Sequence, residues 1–171
     1  MEIDLTMCKV RSWSWNDLVS IVWHANNRNV WINLRDRFPH PYTLADARSW
    51  LQSVSEHRPE THFAIAVKEE AVGGIGFVLQ QDVAYRSAEI GYWLGEEYWG
   101  RGIATAALLA VTQHAFEAYD LCRVYAHVFE WNHASARVLE KAGFTLEGRL
   151  RKSVTKAGRT IDQLMYATIR E

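Results

Sequence analysis

Several features that define common protein classes are scarce in this sequence. Cysteine occurs only twice, as Cys8 and Cys122, which argues against a disulfide framework and against a cysteine-rich zinc site. The 19 basic and 20 acidic residues nearly cancel, so direct DNA binding through a basic surface is not expected. The longest apolar run, 103–111, is far shorter than the ~20 residues that span a bilayer, and the first residues show no secretory pattern. We therefore expect a cytoplasmic protein with no membrane partner and no metal.

The remaining composition is that of an ordinary globular protein. Hydrophobic residues make up 49% and charged residues 23% of the 171 residues. A chain of this length is expected to form a single domain, 1–171, with a substantial core. Eight tryptophans are many for this length, and they favour a rigid, concave molecule.

The hydrophobic pattern predicts a mixed α/β fold with the element order β-α-α-β-β-β-α-β-α-β-β. Asn16 and Asp17 offer a cap for the first helix, and Thr43-x-x-Asp46 is a capping signature for the second. The first strand is predicted at 8–13, and the later elements at 62–68, 72–80, 88–94, 103–119, 123–129, 133–142, 144–150 and 160–169. The basic segment 149–159 is expected to be a solvated turn, with attraction of an acidic protein partner or an RNA-rich particle as the alternative.

A strand-to-helix junction with two glycines is the first informative motif. Gly100-x-Gly102 follows the strand at 88–94 and precedes the long helix, whose first amides lack internal partners and favour an anion. Glycine lets the backbone approach a phosphate, and Arg101 adds donors. Thr105 stands where a dinucleotide-binding fingerprint needs glycine or alanine, and no Gly-Lys-Ser/Thr follows. The motif predicts a phosphate site outside both common nucleotide patterns, or else a plain flexible turn.

The second motif is Asn132-x-x-Ser135, followed by Leu139-Glu-Lys-x-Gly-Phe144. Asn132 alone would be read as a helix cap. Together with Gly91-Tyr-Trp-Leu and Tyr98-Trp-Gly-Arg-Gly-Ile-Ala, however, it resembles the GNAT superfamily of acyl-CoA N-acyltransferases. The likeness is greatest to the RimJ/RimL type, the ribosomal-protein alanine acetyltransferases, and it extends over essentially the whole chain. Glu97 departs from the superfamily pattern, which has Gln or Arg there.

The resemblance implies a GNAT-like, mostly antiparallel twisted sheet in which the parallel strands at 88–94 and 123–129 splay apart. Acetyl-CoA would bind in that cleft as the co-substrate, with Asn132 hydrogen-bonded to its pantetheine arm. Arg137 and Lys141 would reach the adenosine end or else form a solvated helix face. The implied coenzyme contacts are the strand edge at Tyr92, Trp93 and Leu94 and the pyrophosphate cradle at Gly100, Arg101, Gly102, Ile103 and Ala104.

The resemblance also implies direct attack of an amine on the thioester. Glu89 is the candidate base, because strand alternation puts it on the same face as Gly91 and Trp93. His127 or a water chain is the alternative base. Ser135 is the candidate acid for the leaving thiolate, because Leu139 stands where many relatives have tyrosine.

The acceptor pocket is expected between the two early helices and the final hairpin. Its candidate lining residues are the aromatic side chains Trp31, Phe38, Tyr42, Trp93 and Trp131. The expected acceptor is a primary amine, either a protein N-terminal α-amine or a small molecule. Two alternatives remain: transfer from a longer donor such as succinyl-CoA, and a non-catalytic CoA-binding module. An exposed last strand would permit a homodimer.

Overall fold

The computed structural model describes residues 1–170, whose strands form one eight-stranded sheet in the order β1-β2-β3-β4-β5-β6-β8-β7. The strands are β1 (Glu2–Asp4), β2 (Lys9–Ser12), β3 (His62–Val67), β4 (Glu70–Leu79), β5 (Ser87–Leu94), β6 (Arg123–Phe129), β7 (Thr145–Lys156) and β8 (Arg159–Ile169). All neighbouring strands are antiparallel except β5 and β6, which are parallel. This confirms the predicted mixed sheet with one parallel pair.

The helices are α1 (Leu18–Ala25), α2 (Arg28–Trp31), α3 (Leu44–Glu56), α4 (Ile103–Ala118) and α5 (His133–Lys141). Thr43 and Asp46 form the predicted capping box at the start of α3. The cap before α1 differs from the prediction, because Ser14 and Asp17 form a capping box around a single 3-10 turn that leads into the helix. No helix within residues 1–170 is long and apolar enough to cross a membrane.

The sheet separates two apolar clusters, and alternation along β5 assigns residues to each. Ile90 and Leu94 belong to the larger cluster, which includes α4 and α5. Trp93 packs on the smaller cluster, which contains Ile21 of α1 and Leu51 of α3. The side chains of one strand therefore reach both layers, as expected for a sheet covered on both faces.

Two short elements were not in the predicted order. Strand β1 has three residues, too few for a period-2 signal, and it exists by pairing with β2. Helix α2 is a single turn capped by Asn27, whose side chain accepts from the amides of Asn29 and Val30. Three helices therefore precede β3, where the predicted order has two and the sequence indicates only a further short helical segment at 30–34, which overlaps α2.

The prediction of a long basic turn at 149–159 is wrong. β7 continues to Lys156, and the turn consists of Ala157 and Gly158, both with positive φ (49° and 75°). Arg149 is held by Glu130 and Asp162, so acids from elsewhere in the chain neutralise part of the segment.

Candidate active site

A wedge-shaped gap between β5 and β6 forms the centre of the site. The two strands pair only from Ser87–Arg123 to Glu89–Tyr125. Beyond that point β5 continues along β4 to Leu94, and β6 continues along β8 to Phe129. The facing edges carry no strand ladder within residues 1–170, and they border a cavity of about 1300 Å³. An extended ligand can therefore pair with the open edge of β5.

One end of the cavity is the turn that starts α4. Gly100 and Gly102 have φ values of 72° and 78°, and Gly102 is the N-cap of this 16-residue helix. A Cβ at Gly100 would meet no atom within 4 Å, so the backbone there faces open space. Gly100, Gly102, Ile103 and Ala104, four residues of the predicted pyrophosphate cradle, line the cavity. Because free helix amides attract anions, this turn fits a pyrophosphate.

The side chain of Arg101 lies elsewhere than predicted. Its guanidinium stacks over the ring of Tyr98, 5.3 Å from the centroid, and it does not line the cavity. The cation–π contact with the preceding turn holds it there.

Glu89 and His127 meet across the base of the wedge. Nδ1 of His127 lies 3.1 Å from Oε1 of Glu89, and Arg35 forms an ion pair with the same carboxylate. The hydrogen bond from His127 and the charge of Arg35 lower the pKa of Glu89 and outweigh burial, which raises it. The candidate base is therefore a paired carboxylate rather than an isolated one.

The predicted acid and the predicted pantetheine ligand lie in the first turn of α5. Oδ1 of Asn132 accepts from the amide of Ser135 at 3.2 Å, so the helix-capping interpretation of Asn132 holds. The hydroxyl of Ser135 lies 2.8 Å from that of Tyr92. Burial raises the pKa of Tyr92 to about 12. Both Asn132 and Ser135 line the cavity.

Four of the five predicted aromatic residues line the opposite end of the cavity: Phe38, Tyr42, Trp93 and Trp131. The ring of Phe38 lies 4.9 Å from that of Tyr42 and 5.6 Å from that of Trp93. Nε1 of Trp131 donates to Oδ1 of Asn33 at 3.1 Å, which ties the loop after α2 to the strand side.

Trp31 does not line this cavity, contrary to the sequence-based expectation. Nζ of Lys156 lies 3.9 Å from the centroid of its ring, and His40 stacks on it at 5.5 Å. Lys156 also bonds to Asp36 at 2.8 Å. Trp31 therefore anchors the loop 32–40 to the final hairpin.

Two contacts at the site were missed in the sequence. Arg35 is separated from Glu89 by 54 residues, and its loop has no periodic pattern that would indicate a partner. Tyr92 was expected to contribute only its backbone edge. Strand alternation puts Tyr92 on the face opposite Glu89. This alternation is the sequence signal that could have indicated a side-chain contact between Tyr92 and α5.

The fold and the cleft together define a class of α/β protein built around two splayed parallel strands and a glycine turn that fits a pyrophosphate. The acetyltransferase (GNAT) domain family matches residues 8–145. The chain belongs to this family, which confirms the resemblance seen in the sequence.

Relatives and solved structures agree with this assignment. The chain is 34% identical over 136 residues to the uncharacterized N-acetyltransferase p20 of Bacillus licheniformis, covering 76% of each protein. It is also 34% identical over 107 residues to the ribosomal-protein-serine acetyltransferase of Escherichia coli, covering 63% of this chain and 59% of that protein. The structure of Mycobacterium smegmatis RimJ in complex with CoA-disulfide superposes with a TM-score of 0.82 at 28% identity, covering 95% of this chain and 81% of that one.

Proposed function

We propose that this protein transfers the acetyl group of acetyl-CoA to a primary amine, in a complex that holds both substrates at once. The observation that carries this proposal is the continuity of the open β5 edge with the amides of the α4 turn, inside one cavity. The edge suits the amides of a pantetheine arm, and the turn suits a pyrophosphate. The RimJ relative, whose structure includes CoA-disulfide, supports this assignment.

The residues along the cavity would serve three roles: they would bind the coenzyme, stabilise the oxyanion and protonate the leaving thiolate. The backbone at Tyr92, Trp93 and Leu94 and the turn at 100–104 would hold the coenzyme, with the free amide nitrogen of Asn132 as a further donor. A thioester held along this edge would place its carbonyl near the amides of 91–93, which can stabilise the oxyanion. Ser135 would supply the proton that the leaving thiolate needs.

The acceptor would enter from the aromatic end, past Phe38 and Trp93, and reach the Glu89–His127 pair. An ammonium group is attracted by aromatic faces and by the carboxylate. A relative named for acetylation of a ribosomal-protein serine favours a protein N-terminal amine as acceptor. This pair of residues would remove the proton that prevents an ammonium from attacking.

Thermal unfolding with acetyl-CoA, succinyl-CoA and ATP in separate wells tests the donor. A ligand at ~100 times its Kd adds ~2.7 kcal/mol, which raises Tm by roughly 5–10 °C for a chain of this size. We expect this rise with acetyl-CoA and none with ATP. Release of free thiol is then measured with a serine-starting peptide and with spermidine. Absence of both the Tm rise and thiol release would overturn the proposal.

A further inference from the structure

The contact between Glu89 and His127 identifies the atom that receives the acceptor's proton. We infer that Nε2 of His127 is this atom, and that Glu89 positions the His127 ring and stabilises its charged form. The inference rests on the proposed function, because it assigns a step of that reaction.

The tautomer of His127 follows from its partner. An ionised carboxylate only accepts hydrogen bonds, so the Nδ1 atom 3.1 Å from Glu89 Oε1 carries the hydrogen. In a neutral imidazole the lone pair is then on Nε2. Nε2 has no hydrogen-bond partner within residues 1–170, and the side chain, 18% exposed, lines the cavity. The free lone pair therefore belongs to a side chain that substrate can reach.

Glu89 itself is a weaker candidate for the base. Its pKa lies below its usual range because His127 and Arg35 both stabilise the carboxylate. General bases work best when their pKa is near the working pH, and the pKa of a stabilised carboxylate lies well below neutral pH. Both contacts end on Oε1, so Oε2 has no protein partner in the described part of the chain. Oε2 is the competing base that the experiment must exclude.

Charged and titratable groups face His127 from three neighbouring segments of the chain. The nearest is Glu89 from β5, and Arg35 from the loop after α2 lies on that same carboxylate. On its own strand the ring of Tyr125 lies 5.6 Å from that of His127. The guanidinium of Arg123 stacks on the Tyr125 ring. On β8 the residue opposite is Met165, which does not titrate. The carboxylate is thus the group in direct contact with the ring.

The proton balance of the transfer is complete with these groups. His127 Nε2 takes one proton from the acceptor ammonium and later releases it to solvent. The amine nitrogen then forms the C–N bond, the C–S bond breaks, and the second nitrogen proton replaces the one that Ser135 gives to the thiolate. The products are the acetylated amine, free thiol and one proton.

The pH dependence of kcat/KM separates the two candidate bases. We expect His127→Gln to lower kcat by ~100-fold or more and to move the acidic limb of the profile up to the pKa of the acceptor's own α-amine, about 8, with acetyl-CoA binding unchanged. Glu89→Gln, whose amide oxygen still accepts from Nδ1, should lower kcat by ~10–100-fold and keep the limb, displaced to lower pH. His40→Gln, on an exposed ring outside the cavity, serves as the control.

Two further measurements make the test independent of the acceptor and of folding. The serine-starting peptide and its aminooxy analogue, which is unprotonated at neutral pH, are compared as substrates of His127→Gln. We expect the analogue to recover most of the lost rate. In ¹⁵N NMR of the wild-type imidazoles, the resonance missing from His127→Gln should report hydrogen on Nδ1. Hydrogen on Nε2 would overturn the inference, and so would an acidic limb that moves up to the acceptor's pKa in Glu89→Gln but stays in place in His127→Gln. Because the NMR result needs no turnover, it stands apart from failure of the proposed function.

Discussion

The hydroxyl of Tyr92 lies 2.8 Å from the hydroxyl of Ser135 and joins β5 to the first turn of α5 beside the cavity. Burial raises the pKa of Tyr92 to about 12, so the phenol keeps its proton at neutral pH. Leu139, where many members of the superfamily have tyrosine, is fully buried. In this chain a phenol therefore reaches Ser135, the proposed acid, from the strand instead of from the helix, and the hydrogen bond orients the Ser135 hydroxyl.

Replacement of Tyr92 by phenylalanine tests this role. We expect about tenfold lower kcat, equivalent to about 1.4 kcal/mol of transition-state stabilisation, because Ser135 loses its partner. The lost hydrogen bond should also cost about 1 kcal/mol of unfolding free energy, measured by urea denaturation. Tyr166→Phe is the matched control, since its buried phenol bonds to Glu140 at 3.1 Å outside the cavity. Equal kcat values for the two variants would contradict the role of Tyr92.

The elements with clear sequence periodicity could be predicted closely. Strand β6 occupies the predicted residues 123–129, and α4 begins at the predicted Ile103. The glycine turn before α4 was also found, because φ above zero and a following apolar helix leave a local signature. These features depend on residues that are close to one another in the sequence.

The contacts that shape the site depend on distant residues and could not be predicted. Arg35 reaches Glu89 across 54 residues, and Lys156 reaches Asp36 across 120. Nothing in the local pattern distinguishes Lys156 from its exposed neighbours on β7. Its burial is decided by Trp31, which only the folded chain places beneath it. The contact between Trp31 and Lys156 also leaves no local signal, and the sequence therefore predicts Trp31 as a pocket residue.

The turn at Gly102 should be sensitive to added negative charge. Gly102→Asp places a carboxylate where the pyrophosphate would bind, and we expect the Tm rise with acetyl-CoA to disappear. Gly158→Asp is a matched control, since Gly158 also has positive φ (75°), lies in the β7–β8 turn and has open space around it. A normal Tm rise in Gly102→Asp would rule out the cradle.

The stability of the fold should fall in mild acid because of His62. Burial first, then the charges of His57 and Arg37, lower its pKa from 6.5 to about 4. Between these values the unfolded chain binds a proton that the native protein does not, so stability is full above pH 6.5 and falls as pH drops toward 4. We expect a loss of about 2 kcal/mol, allowing for the partly solvated ring. Urea denaturation of His62→Gln should show a flatter acid limb, whereas exposed His133→Gln should match the wild type.

Lys156 should be more costly to leave unpaired than to remove. The residue is only 1% exposed, and Asp36 is its one carboxylate partner within residues 1–170. Asp36→Ala leaves a buried ammonium without that partner, at a cost of about 2 kcal/mol. Lys156→Met keeps the apolar contact with Trp31 and removes the charge, so it should cost less. Denaturant midpoints in the opposite order would show that the ion pair does not hold the loop.

Asn132 combines two roles that substitutions can separate. Its Oδ1 caps α5 through the amide of Ser135, while its amide nitrogen has no partner within residues 1–170 and is proposed to bind the pantetheine arm. Asn132→Ser keeps a capping oxygen but removes the nitrogen donor, so stability should be nearly unchanged while the KM for acetyl-CoA rises about tenfold. Asn132→Ala loses both, with about 1 kcal/mol lower stability and the same rise in KM. A normal KM in the stable serine variant would restrict Asn132 to capping, because the only group removed there without replacement is the nitrogen donor.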